Sequence, residues 1–136
     1  MAKMGAAERQ IKARVIKAGV AEGSALVSDQ PIGFLGGVDP ETGVVIEPGH
    51  PLEGQRVTGR ILVFPSGKGS TVGSYTLYWM AQAGTAPVAI VNAESEAIVA
   101  VGAIIAGIPM VDKVDITQIA SGDHVRVDGD RLTVRP

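Results

Sequence analysis

Short stretches in the first half of the chain alternate hydrophobic and polar residues, and turn signals separate them. A period of two between clusters of Gly, Pro and Asp predicts half-buried β-strands. The predicted strands span residues 10–18, 25–27, 44–46 and 55–64. Turn-forming sequences fill residues 29–31, 38–43 and 47–51. The first half is therefore expected to be β-structure without helices.

Strands and helices alternate in the second half. Buried strands are predicted at residues 61–64, 88–91 and 108–111, with helices at residues 70–83 and about 93–106 between them. Gly84 and Gly107 occupy positions at which a left-handed glycine ends a helix. The connections are expected to form right-handed βαβ units. Two kinds of residue are expected to stabilise the start of the second helix. Asn92 or Ser95 would be its N-cap, and Glu94 and Glu96 would lie in its first turn.

Both predicted helices are rich in apolar residues. Tyr75, Tyr78 and Trp79 lie at i, i+3 and i+4, a spacing that we interpret as core packing. The uncharged apolar run at residues 97–111 is shorter than the roughly 18–20 residues that a membrane span needs. We interpret this run as a buried helix followed by a buried strand.

The chain closes with a predicted hairpin, in which residues 125–127 and 131–134 flank Asp128-Gly129-Asp130. The expected fold class is mixed, β-rich α/β. A barrel or sandwich carrying βα units fits better than a doubly wound sheet, because the first half lacks helices. We expect residues 1–136 to form a single domain, with residues 1–9 as a flexible N-terminus.

Composition narrows the function classes. With 46% hydrophobic and 19% charged residues the chain has enough apolar material for a core, so disorder throughout is excluded. A net charge of −2 provides no basic surface for nucleic acid or for an acidic membrane, and 4% aromatic residues offer few stacking platforms for bases. The first residues contain no apolar leader, which predicts a cytoplasmic protein without a membrane partner.

One segment carries candidate chemistry, the glycine-rich stretch at residues 64–73 between a predicted strand end and a helix start. Unpaired N–H groups and the positive end of a helix dipole favour an anion there, and Gly67 and Gly69 let the backbone approach a carboxylate or phosphate. It is not a Walker A loop, since Gly69 stands where Ser or Thr should hold magnesium, and its GxGxxxG spacing is one residue too long for a dinucleotide fingerprint. A plain glycine turn, with Ser70 as N-cap and Lys68 in solvent, remains open.

Other reactive residue types lack partners at suitable spacing. The sequence holds no GxSxG elbow, and neither His nor Asp lies near Ser66 for a hydrolase triad. His50 and His124 are isolated and are expected on the surface. Basic residues interrupt the aspartates at residues 112–130, which are expected to form a solvated face. The Gly-Phe-Leu-Gly-Gly segment at residues 33–37 is expected to approach another backbone or a ligand closely.

Four segments carry a family resemblance. They are Phe64-Pro65-Ser66-Gly67-Lys68-Gly69-Ser70, Tyr75 with Leu77, the stretch from Gly84 to Ile90, and the stretch from Gly102 to Asp112. Together they resemble the aconitase X swivelling-domain family, over about residues 11–134. The resemblance implies a swivelling β/β/α barrel like the mobile domain of aconitase, in agreement with the β-rich first half and the βα units.

The resemblance also implies a function. The implied reaction is the dehydration of (R)-5-phosphomevalonate to trans-anhydromevalonate 5-phosphate, in the archaeal modified mevalonate pathway to isoprenoids. The chain would be the small subunit of such a hydro-lyase, active only with a large catalytic subunit that carries a 4Fe-4S cluster. Because the chain has no cysteine, every thiolate ligand of the cluster would come from that subunit. No metal is expected to bind this chain alone.

Individual roles follow from the match to the family motif. Ser66 matches the catalytic serine and would accept the proton next to the substrate carboxylate. Gly67, Lys68, Gly69 and Ser70 would bind the substrate, a phosphorylated hydroxy acid. The amides and the ammonium group would either stabilise the Ser66 alkoxide or hold the carboxylate or phosphate, and both roles stay open.

Three competing functions remain at this point. Hydroxyproline dehydratases of the same family use a similar serine motif. A phosphohistidine swivelling domain has a similar glycine and hairpin pattern, but it needs a histidine before the second helix, and residues 92–96 contain none. A non-catalytic interaction module, whose glycine loop only precedes a helix, is the third.

Overall fold

The computed structural model describes residues 8–136, so most of the expected flexible N-terminus lies outside the described residues. Eight strands and two α-helices follow in chain order within this range. The strands are β1 (Arg9–Lys12), β2 (Arg14–Lys17), β3 (Val20–Val27), β4 (Ile61–Phe64), β5 (Ala89–Asn92), β6 (Met110–Asp112), β7 (His124–Asp128) and β8 (Arg131–Arg135). The helices are α1 (Gly73–Ala83) and α2 (Ala97–Ala106), and a 3-10 turn covers Ile116–Gln118.

The strands form one sheet that curls almost into a barrel. Its order is β1-β8-β7-β3-β4-β5-β6-β2, with β3 to β6 parallel and the remaining pairs antiparallel. β1 and β2 lie at opposite edges of this order, yet only Ala13 separates them in the chain. The two edges therefore meet at one residue, and the expected β-rich, mixed α/β barrel is confirmed.

Two apolar clusters occupy the two faces of the parallel strands. Leu62 and Phe64 of β4 pack in a cluster with Leu77 and Met80 of α1, and Val99 of α2 joins the same cluster. Alternate residues, Ile61 and Val63, pack instead with the side chains of β7 and β8 inside the barrel. Both faces of β4 and β5 are therefore buried, which explains why their sequences are continuous apolar runs.

Several predicted strands differ from those observed. The segment predicted at residues 10–18 is split at Ala13, because the chain crosses there from one sheet edge to the other. β3 begins at Val20, five residues before its predicted start at Ala25, because pairing with β7 supports residues whose side chains are largely exposed. Residues 44–46 form only isolated bridges, and of residues 55–64 only Ile61–Phe64 form a strand. Tertiary pairing decided these boundaries.

Both helices end where the glycine signals predict, but they begin at other residues than those predicted. Gly84 and Gly107 end α1 and α2 with φ of 78° and 72°, as predicted. α1 begins at Gly73, and its N-cap is Val72, so Ser70 is not the cap. α2 begins at Ala97 and is capped by Glu96, whose carboxylate accepts hydrogen bonds from the amides of Ile98 and Val99. The predicted caps Asn92 and Ser95 are wrong, because Asn92 is a buried residue of β5 and Ser95 precedes the cap.

The two helices pack against each other at a point where small residues meet. A Cβ on Gly102 would lie 3.1 Å from Cα of Ser74, and the Ser74 hydroxyl donates to the Ile98 carbonyl at 2.8 Å. Tyr75, Tyr78 and Trp79 are 58%, 38% and 56% exposed, so the prediction that the aromatic trio packs in the core is wrong. α2 is likewise only half buried, contrary to the predicted buried helix.

Two polar residues predicted on the surface are buried. His50 is enclosed in the loop after residue 47, where its Nδ1 accepts from the Leu52 amide and its Nε2 lies 3.0 Å from the Pro31 carbonyl. Asp112 at the end of β6 is inaccessible, and Arg14 of β2 donates to both of its carboxylate oxygens at 2.8 and 2.7 Å. Sequence alone did not reveal these partners, because Arg14 is far from Asp112 along the chain.

The pKa of Asp112 reflects its setting. Burial by itself would raise this pKa, but the hydrogen bonds from Arg14 and from the Ser95 amide outweigh burial and lower the pKa to about 2. The ionised carboxylate therefore stabilises the fold fully at pH values above the pKa that Asp112 has in the unfolded chain. This stabilisation is lost as the pH falls through about 2, the pKa in the folded chain.

We expect Asp112→Asn to lower the free energy of unfolding by roughly 2 kcal/mol at neutral pH, since Asn cannot replace the charged hydrogen bonds to Arg14. Urea unfolding between pH 7 and pH 2 checks this expectation. The wild type should lose stability below about pH 4, whereas the variant should lose less over the same range. Asp130→Asn, at an exposed turn position, is the control. Parallel curves for wild type and Asp112→Asn would contradict the assigned ion pair.

Candidate functional site at the carboxyl edge of the parallel strands

The glycine-rich segment lies at the carboxyl edge of the parallel strands. The loops that follow β3, β4, β5 and β6 all leave the sheet at this edge, which is where open α/β sheets bind their ligands. Ser66 to Ser70 belong to the loop after β4. None of the helices in residues 8–136 combines the length and the apolarity that crossing a membrane requires.

Hydrogen bonds fix the backbone on both sides of Ser66. The Pro65 carbonyl accepts from the amides of Ala93 and Glu94, both at 3.1 Å. The Ser66 carbonyl accepts from the Ile32 amide at 3.3 Å, and the Ile32 carbonyl accepts from the Lys68 amide at 3.2 Å. Two neighbouring loops therefore hold the serine, and its position is preorganised by the fold.

Gly67 and Gly69 are glycines for different reasons. A Cβ on Gly67 would collide with the side chains of Val99 and Glu96 at the start of α2. Gly69 has φ of 102°, a conformation that side chains other than glycine rarely adopt. Gly33 packs on the same loop, where an added Cβ would lie 2.8 Å from the Lys68 carbonyl. The segment at residues 33–37 thus approaches another backbone, as predicted.

Several amides of the loop are available to a ligand. Among residues 8–136 no protein acceptor pairs with the amides of Gly67, Gly69, Ser70 or Thr71. The amides of the first turn of α1 are directed instead to the carbonyls of Ser70, Thr71 and Val72. The expected anion site therefore precedes α1 rather than using its first turn, and the Ser70 hydroxyl accepts from the Val72 amide at 3.2 Å.

The charged groups of the loop come from different parts of the chain. Lys68 donates from Nζ to Glu47 at 2.9 Å, and its side chain is 47% exposed. A surface pair of this kind contributes little stability, so the ammonium group can turn toward an anion. The carboxylate of Glu96 lies beside Gly67 while it caps α2.

Ser66 itself is half buried, and among residues 8–136 the side-chain hydrogen bonds of its loop are made by Lys68 and Ser70, not by the Ser66 hydroxyl. Neither histidine of the chain is bonded to it, since His50 bonds to Pro31 and Leu52 while His124 lies near Glu22. Within the described residues Ser66 therefore belongs to no Ser–His–Asp triad.

Sequence reasoning missed three contributors to this site. Glu47 forms a salt bridge with Lys68, and Ile32 exchanges backbone hydrogen bonds with Ser66 and Lys68. The carboxylate of Glu96 lies beside Gly67. Only Glu96 carried a local signal, as an acidic residue just before an apolar helix. Glu47 and Ile32 lie in loops that reach Ser66 only through the fold.

Neither the larger cavity nor any metal-ligating cluster in the described residues offers a better candidate site. A cavity of about 690 Å³ lies at the opposite edge of the sheet, and no charged residue is among the described residues that line it. The described residues contain no group of three or more His, Cys, Asp or Glu side chains arranged to hold a metal ion. The concentration of polar donors at the Ser66 loop is thus the better candidate.

Comparison with known proteins gives one consistent result. The family described as "Aconitase X swivel domain" matches residues 10–135. The chain is 57% identical over 122 residues to the phosphomevalonate dehydratase small subunit of Pyrococcus furiosus, covering 90% of this chain and 91% of that protein. It is 57% identical over 123 residues to the protein of the same name from Methanocella arvoryzae, covering 88% and 93%.

A solved structure agrees in fold and in sequence. The crystal structure of Thermococcus kodakaraensis aconitase X, in its holo-form, superposes with a TM-score of 0.92 at 49% identity. The superposition covers 94% of this chain and 99% of that chain. The family match over residues 10–135 includes the Ser66 loop, both helices and the terminal hairpin.

Proposed function

Because the chain belongs to the aconitase X swivel-domain family, we propose that it is the small subunit of a phosphomevalonate dehydratase. The observation that carries this proposal is 57% identity over nine-tenths of the chain, with the family's serine motif held at the ligand-binding edge of the sheet. The reaction is loss of water from (R)-5-phosphomevalonate to give trans-anhydromevalonate 5-phosphate. We propose that this activity is cytoplasmic. We also propose that the whole chain forms one swivelling domain.

The reaction balances without a redox partner. The C2–H bond next to the carboxylate breaks, its electron pair forms the C2=C3 double bond, and the C3–O bond breaks as hydroxide leaves. The abstracted proton and the hydroxide together make the water that is lost. A base for the C2 proton and a Lewis acid for the leaving hydroxyl are therefore the two groups that the site must supply.

This chain contributes the base in our proposal. Ser66 in its alkoxide form accepts the C2 proton and becomes the hydroxyl, and it returns to the alkoxide when this proton joins the departing hydroxide as water. Its well-held backbone keeps the serine at one place in the site. The unpaired amides of Gly67 and Gly69 and the ammonium group of Lys68 stabilise negative charge, either on the serine oxygen or on the substrate carboxylate. Ser70 and its amide bind the phosphorylated substrate at the end of the loop.

The iron–sulfur cluster does not fit this chain. The sequence has no cysteine, and the described residues hold no cluster of metal-ligating side chains. We therefore assign a 4Fe-4S cluster to the large subunit, where it would supply the Lewis acid for the departing hydroxyl. The active site then lies between two chains, and the small subunit alone is inactive.

Anaerobic co-expression with the large subunit tests the proposal. Each subunit alone and the mixture are assayed for water loss from (R)-5-phosphomevalonate by the absorbance of the conjugated double bond. Turnover that requires both chains is the expected result. A stable complex that is inactive on phosphomevalonate but dehydrates hydroxyproline would make this chain the small subunit of a hydroxyproline dehydratase. Failure to form any complex would overturn the proposal in favour of a non-catalytic module.

A further inference from the structure

The outer faces of the two helices form a surface of unusual composition. Half-exposed apolar side chains cover it, and we call it the helical apolar surface: Val72, Tyr75, Tyr78, Trp79, Val101, Ile104 and Ile105. The two helices contain no Asp, Glu, Lys, Arg or His in any position. A helix face that remains in water normally carries such residues, so this composition indicates a face that another protein covers.

The surface is continuous from one helix to the other. Tyr75 of α1 and Val101 and Ile105 of α2 line the same cavity of about 280 Å³ between the helices. Half-exposed aromatic and aliphatic side chains of this number offer roughly 500–700 Å² of apolar area. A stable interface takes about 800 Å² from each partner, so this surface with a modest polar rim reaches the size required.

The surface also adjoins the Ser66 loop. Val72 follows directly after Thr71, whose amide is one of the unpaired donors. Leu35, 49% exposed, lies over the start of α1, with its Cβ 4.0 Å from the position of a Cβ on Gly73. A protein that approaches the Ser66 loop from this side therefore meets the helical apolar surface at once.

We propose that the helical apolar surface is the docking site for the large subunit, an inference that rests on the proposed function. The reaction needs a second chain over the Ser66 loop, and the surface begins at that loop. A second copy of this chain fits less well, because it would bring another cysteine-free chain to the loop without ligands for the cluster. The partner must present an uncharged apolar surface, since charged groups buried against these helices would lack partners.

Substitution of Val101 by Glu tests this docking site. Val101 is 50% exposed, so a charge is tolerated in the free chain but is buried without a partner in the complex. We expect Val101→Glu and Tyr75→Glu each to weaken binding of the large subunit by at least about 30-fold, the effect of one interface hot spot. Val20→Glu is the matched control, because Val20 is 56% exposed at the first residue of β3, lies at the opposite edge of the sheet from the Ser66 loop, and is not part of the helical apolar surface. Co-purification with a tagged large subunit gives the readout, and circular dichroism confirms that each variant folds.

The possible outcomes separate this inference from the proposed function. Loss of the complex in both helix variants, with Val20→Glu unaffected, supports the docking site. Wild-type binding by all variants overturns the docking site and leaves the dehydratase proposal intact. The isolated chain could instead self-associate, with Val101→Glu making it monomeric while leaving its binding of the large subunit unchanged. That result would assign the surface to a second copy of this chain. A complex that depends on the surface but does not dehydrate phosphomevalonate contradicts only the proposed function.

Discussion

Ser66→Ala is expected to lower kcat of the two-subunit enzyme by about 10²–10⁴-fold, the usual effect of removing a general base. The variant should fold and bind the large subunit normally, because within the described residues the side-chain hydrogen bonds of this loop are made by Lys68 and Ser70 and not by the Ser66 hydroxyl. KM should change little if Ser66 acts only on the proton, since substrate binding would then rest on the neighbouring amides. Steady-state assays of the reconstituted enzyme measure both constants.

A matched control and a second readout make this prediction specific. Ser24→Ala removes an exposed hydroxyl from β3 and should leave turnover unchanged. Exchange of the C2 hydrogen of phosphomevalonate with D₂O should disappear in Ser66→Ala, because this exchange requires the base. A variant that retains near-wild-type turnover would contradict the base assignment. A large increase in KM with unchanged kcat would make Ser66 a binding residue instead.

The second large effect is expected from Gly67→Ala. The added methyl group would meet Val99 and Glu96, and neither can move freely, because Val99 is buried and Glu96 caps α2. We expect a loss of about 1–3 kcal/mol in the free energy of unfolding, as for overpacking in a core. Displacement of the adjacent Ser66 should also lower kcat by about 10²-fold, since catalysis depends on its position.

Gly73→Ala separates the steric effect from a general effect of alanine in this loop. A Cβ on Gly73 would have its nearest neighbour, Cγ2 of Ile98, at 3.5 Å, which is ordinary contact, and the residue is helical. In this control the free energy of unfolding should stay within about 0.5 kcal/mol of the wild type, and turnover should stay within about twofold. Thermal unfolding and steady-state kinetics compare the two variants. If Gly67→Ala loses stability but keeps its turnover, the exact placement of the Ser66 loop is not required for catalysis.

The docking inference changes how the aromatic residues of α1 are understood. Their i, i+3, i+4 spacing predicted a buried face, and the residues do form one face. The core of this chain is already filled on the other side of the helix by Leu77 and Met80. The same pattern is produced by a face that packs in its own core and by one that packs on a partner, so spacing cannot distinguish them.

The sequence by itself determined the local features of this protein. The buried strands β4 and β5, the glycine caps at Gly84 and Gly107, and the hairpin at Gly129 were all predictable, because each depends on neighbouring residues only. The serine motif was also visible in sequence, and its family resemblance is confirmed by the match over residues 10–135. Its catalytic role remains a prediction.

Only the tertiary structure decided which distant groups meet. The pairing of Arg14 with Asp112, the contact of Lys68 with Glu47, and the closing of the sheet at Ala13 join residues that are far apart in the chain or in the sheet order. Each depends on strand order and on loop paths, which no local pattern records. Burial likewise depends on what covers a residue from elsewhere, and so Asp112 was wrongly expected in solvent and Trp79 wrongly expected in the core.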